Sequence, residues 1–163
     1  MALFILIPFI IQTLTILIDE FYFHVRRGLP KWERLGHPLD TLTVLACFAF
    51  ILFVPYSSFA LKIYVGLAVF SCLFVTKDEF VHKECCPASE QWLHALLFLN
   101  HPVVLTAAGL IWSITNQAGP AWLSGLIPYI DQMRFFIAMQ MAVTALFFLY
   151  QIIYWNFIWQ KDE

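Results

Sequence analysis

The chain has 163 residues, 61% hydrophobic and only 12% charged, and its mean hydropathy of +0.77 lies far outside the range of soluble globular domains. A net charge of −2 leaves no basic face of the kind a nucleic-acid partner would need. Cys47 and Cys72 sit inside apolar runs, where cysteine behaves as a small hydrophobe, and Cys85 and Cys86 are adjacent, so the cysteines do not read as a disulfide framework.

A membrane-spanning helix needs about 20 mostly apolar residues. The opening run MALFILIPFIIQTLTILI lacks a basic n-region and a small-residue cleavage site, and reads as a retained span over 1–23 with a kink at Pro8. The stretch RRGLPKWERLGHP (26–38) carries glycine, proline and much of the basic charge, and reads as a loop with Trp32 at headgroup level. A second span follows over 39–55 and stops at Pro55, and after a very short connection a third covers 59–77. Cys86-Pro87 suits a helix start, and a fourth span over 91–114 is interrupted by Asn100, His101 and Pro102. Residues near 120–130 suggest a short interfacial helix, and a last span covers 132–159. The expectation is an all-α integral membrane protein, a single domain over 1–163 with about five transmembrane helices in a compact bundle.

Lysine and arginine set the expected orientation. Arg26, Arg27, Lys31, Arg34, Lys77, Lys83 and Lys161 fall on one side, against Lys62 and Arg134 at span edges on the other. The positive-inside rule then places the N-terminus outside and the charged loops in the cytoplasm, in a bacterial inner membrane.

All the histidines lie at that cytoplasmic end: His24, His37, His82, His94 and His101. Asp19, Glu20, Asp40, Asp78, Glu79 and Glu90 accompany them. Ionisable groups at membrane depth are costly, so their clustering points to a functional site. On a helix, residues three or four apart share a face. Glu20 and His24, Asp78 and His82, Glu79 and His82, and Glu90 and His94 obey that spacing, as do His37 and Asp40, and His101 returns two turns beyond His94.

Glu79-Phe-Val-His82 also matches the Glu-x-x-His element of di-metal helical bundles. The expected metal ligands are therefore Glu20, His24, His37, Asp40, Asp78, Glu79, His82, Glu90, His94 and His101, around iron or zinc and with donors enough for two ions. Glu20 and Glu90 are the candidate catalytic bases.

The function expected is that of a membrane metalloenzyme acting on a lipid or other apolar substrate. The reaction would be di-iron oxidation, fed by a separate reductase, or zinc-dependent hydrolysis. A metal-ion or small-solute transporter, in which a homodimer would form the pathway, is the second class; haem binding or a purely structural role is the third. The H-x-x-x-H and H-x-x-H-H boxes of membrane desaturases are absent. No serine stands out as a partner for a histidine, and the vicinal cysteines read as an ordinary loop pair.

Overall fold

The computed structural model describes residues 2–78 and 86–159. These form helices and connections with no strand among them. The chain starts with a 3-10 turn, Ala2–Leu6, that runs into an α-helical stretch, Ile7–Ile18, a π-helical turn, Asp19–His24, and a last α turn, Val25–Arg27. Together these make one long helix, α1 (Phe4–Arg27). Pro8 sits in the first turn of the α-helical stretch, where its missing N–H is no loss, so the expected mid-span kink is not needed.

The chain then reverses at Gly28, which has φ 75° and ψ 159°. Helix α2 (Lys31–Phe53) begins well before residue 39 and carries Pro38 inside it. The loop expected over 26–38 is thus confined to 28–30; Pro30 already has the extended conformation of a residue preceding a helix, and Lys31 starts the first turn. Helix α2 stops at Val54, because the residue before a proline is pushed out of helical geometry.

Ser57 caps α3 (Ser58–Lys77), its hydroxyl accepting from the Ala60 N–H at 3.0 Å. Helix α4 (Ala88–Thr115) is continuous through Pro102. A 3-10 segment, Ala121–Tyr129, occupies the place expected for a short helix near 120–130 and leads into Ile130–Ile153, so that α5 (Ala121–Ile158) completes the set. Each of these five helices is long and apolar enough to cross a membrane.

Helix α2 is central, packed against α3, α4 and most extensively α5, while α1 lies against α4. The apolar core gathers at the end away from the histidines, where Phe48, Ile51, Tyr64, Leu105, Ile111 and Trp112 are all buried. Polar side chains also tie the helices together. Tyr64 donates to the Leu105 carbonyl at 2.6 Å, and Trp112 donates to the Val54 carbonyl left open at the end of α2, at 3.0 Å. Asn100 donates to both the Pro8 carbonyl and Gln12, joining α4 to α1. The outward faces carry exposed Leu14, Phe53, Phe59, Leu99, Phe135 and Leu146, the pattern of a bundle whose solvent is hydrocarbon.

Candidate metal centre

The π-turn in α1 creates the site. In an α-helix, residues five apart point to different faces, whereas i→i+5 bonding brings them into line. The Val25 N–H bonds the Glu20 carbonyl in this register, and Asp19, Glu20 and His24 are all buried in the interior. Glu90 and His94, one turn apart at the start of α4, face them.

His94 Nε2 lies 3.0 Å from Asp19 Oδ1, and His24 Nε2 lies 3.3 Å from Asp19 Oδ2 and 3.6 Å from Glu90 Oε1. Ligand atoms of Asp19, His24, Glu90 and His94 all fall within 4.8 Å of one another. Donors held about 2.0–2.1 Å from a tetrahedral ion would be about 3.3 Å apart, close to the separations of the three nearest pairs here.

The tautomer of His24 suits this role. Its Nδ1 lies 3.2 Å from Glu20 Oε2. An ionised carboxylate only accepts, so Nδ1 carries a proton toward Glu20, and an Nε2 that gave up its own proton to a cation would turn a lone pair into the cluster. His24 Nε2 is buried and has no hydrogen-bond partner. Glu20 is held in turn by Tyr150 Oη at 2.9 Å and Trp155 Nε1 at 2.7 Å. A carboxylate behind a histidine, itself fixed by further donors, is the usual support of a metal-binding imidazole.

Arg27 completes the centre. Its guanidinium donates to Glu90 Oε1 from Nε at 3.1 Å and from a terminal nitrogen at 2.8 Å, and reaches Glu33 Oε2 at 2.7 Å. Glu33 and Glu90 are fully buried, and the fork of one guanidinium bridges them. Beyond it, His37 Nε2 lies 3.9 Å from Glu33 Oε2 and its ring stands edge-on to that of His24. His24, Glu33 and His37 form a second group whose donors converge. It shares His24 with the first, and the Nδ1 of that histidine already faces Glu20.

The expected ligands separate on this geometry. His24, Glu90 and His94 come together; Glu20 stands behind His24; and His37 belongs to the neighbouring group. Asp40 is drawn away by Lys77, 2.7 Å from its Oδ1. His101 lies deeper, where Ser71 Oγ meets its Nε2 at 2.9 Å and Thr43 meets Ser71 at 2.7 Å, linking α2, α3 and α4. This serine–histidine pair escaped the sequence reading; Ser71 is wholly buried between the helices. Glu79, His82 and Cys85 lie outside the described residues, as does the side chain of Asp78.

Asp19 and Glu33 are the donors that sequence spacing missed. Burial pushes the Cys86 thiol up to about 12, with the nearby guanidinium of Arg27 opposing the rise. It is therefore protonated at neutral pH and outside both converging groups.

A cavity of about 220 Å³ opens beside the cluster. Asp19, Glu20, His24, His37 and His94 line one end, and Phe9, Phe48 and Leu105 line the other. The fold and the site together define a class: an all-helical protein whose five described long helices are apolar enough to span a membrane, with a buried aspartate, glutamate and histidine group able to hold a metal ion. No protein-family model, curated protein or solved structure matches this chain.

Proposed function

We propose that the protein is an integral membrane metalloenzyme, a single helical domain that binds one divalent ion within the Asp19, His24, Glu90 and His94 group and acts on a lipid or other apolar substrate. The observation that carries the reading is the buried His24 Nε2, without a hydrogen-bond partner, 3.3 Å and 3.6 Å from two carboxylates and in one converging group with a second histidine. With imidazoles protonated, the same atoms form a hydrogen-bonded network; with those protons gone, they form a ligand set, and a cation competes for the place. One ion is favoured over two because Arg27 already bridges Glu33 and Glu90 and because both donor groups depend on His24.

The skew of lysine and arginine favours insertion with this end in the cytoplasm and the N-terminus outside. Such an ion supplies Lewis acidity toward a carbonyl or a water. Around it, Glu20, Tyr150 and Trp155 fix the His24 ring, and Arg27 holds Glu90 by Oε1. If Asp19, His24 and His94 held a zinc ion, a fourth position would stay open to water with Glu90 beside it as the candidate base, and hydrolysis is the favoured reaction. The pairing of two histidines with Asp19 also suits iron, and an oxidative reaction fed by a reductase is the second reading.

Elemental analysis and an optical spectrum of detergent-purified protein, with His24→Ala and His94→Ala beside it, provide the test. One zinc or iron per chain, lost in both variants, is expected. Wild type that is folded and metal-free, or a Soret band, would overturn the reading.

A further inference from the structure

The cavity has a side entrance. Helices α1 and α5 touch at two levels, through Phe9 packed edge-on against Phe136 with ring centres 5.0 Å apart, and through Phe21 against Tyr150 at 6.2 Å. At 1.5 Å per residue, these contacts are about 18 Å apart along α1 and about 21 Å apart along α5. Between them the facing residues line the cavity instead of packing together, and Leu17 and Val143 on its rim are 42% and 51% exposed. The opening therefore faces sideways, toward the hydrocarbon that the outward faces of both helices are built to meet.

Shape narrows the occupant. The lining residues run from His94 to Leu105 on α4 and from Gln140 to Gln151 on α5, a length of roughly 16 Å at helical rise. At about 220 Å³ the space is smaller than the clefts of about 300–1,000 Å³ that hold drug-sized ligands, so a slim single chain suits it better than a fused ring system. The length matches one leaflet, half of a hydrocarbon core about 30 Å thick. One end is polar and the rest of the wall largely apolar.

We propose that the cavity holds a single acyl chain of a bilayer lipid, admitted sideways between α1 and α5, with its carboxyl or ester end at Asp19, His24 and His94 and its tail toward Phe9, Phe48 and Leu105. The proposal rests on the metalloenzyme reading only for the chemistry at the polar end; the chain site stands on the cavity alone.

The test uses the purified protein in phosphatidylcholine vesicles, with two photoactivatable probes: a long-chain fatty acid bearing a diazirine at mid-chain, and a phospholipid carrying the same chain. Adducts on residues lining the cleft, such as Leu17 and Val143, are expected from at least one probe, and the probe that labels identifies the source of the chain. Thr144→Trp and Thr13→Trp, which obstruct the cleft from α5 and α1, should each lower this labelling several-fold, while Leu146→Trp on the outward face of α5 should not. Adducts confined to outward faces, or cleft labelling unchanged in a folded obstructing variant, would overturn the proposal. Metal content is read in the same samples. A metal-free wild type that still labels in the cleft removes the metal centre alone, and a metal-loaded protein that fails to label there removes the chain site alone.

Discussion

Glu20 and Glu90 entered the sequence analysis as equivalent acids, and their surroundings give them different work. Glu20 accepts from Tyr150, Trp155 and His24, so it holds the imidazole in place and stands outside the group that could take a metal ion. Glu20→Gln is expected to weaken metal affinity about 10–100-fold with the fold retained, whereas His24→Ala should abolish binding; titration against a competing chelator separates the two. Arg27 bridges two fully buried carboxylates. Its removal in Arg27→Met should destabilise the protein by about 3 kcal/mol, since it strands buried charge, and Arg27→Lys should recover little because an ammonium lacks the planar fork. Thermal unfolding in detergent checks both. Metal loading should also decline on acidification, because imidazole and carboxylate donors must shed protons to bind, and metal content after dialysis at successively lower pH follows this directly.

At the level of the helices, two local features organise the centre. One is the π-turn of Asp19–His24 and the other the reversal at Gly28. With φ 75° and ψ 159°, Gly28 occupies a region nearly closed to other residues, and a Cβ there would run into the Trp159 ring. Gly28→Ala should cost about 1–3 kcal/mol from backbone strain alone, with the collision adding to it. Gly66→Ala in α3, where a Cβ meets nothing within 4 Å, should instead stabilise by about 0.5–1 kcal/mol. Melting temperatures of the two variants in one detergent provide the comparison. These features also explain which donors were legible in advance. A period of 3.6 residues pairs Glu20 with His24, and that contact exists; it does not bring Asp19 to His24, because only i→i+5 bonding does so. Glu33 and His37 have ordinary i,i+4 spacing, but the nearby glycine and prolines made their segment read as a loop.

Across the whole bundle, the polar groups and the apolar core are segregated to opposite ends of the same helices. The core, drawn mainly from α2, α3, α4 and the start of α5, fills one end, while α1 and α5 stand apart along the cavity and meet above and below it through aromatic contacts and the hydrogen bonds of Tyr150 and Trp155 to Glu20. If the bundle is inserted as proposed, a reporter fused to the C-terminus should be active in the cytoplasm and one placed at the 54–57 connection should not. The reverse pattern would invert the orientation.

Composition and hydropathy determined the class without help from the fold: helices of membrane-spanning length and a single end that gathers the histidines and acids. Those properties are local, set by the apolarity of each run and by where charge interrupts it. Which donors meet was decided only in three dimensions. Asp40 and Lys77 pair across two helices, His101 turns to Ser71, and Glu33 comes under Arg27 because of how α1, α2, α3 and α4 pack. The convergence of Asp19 with His24, Glu90 and His94 needs both a widened turn in α1 and its packing against α4, and neither is written in the spacing of residues along one helix.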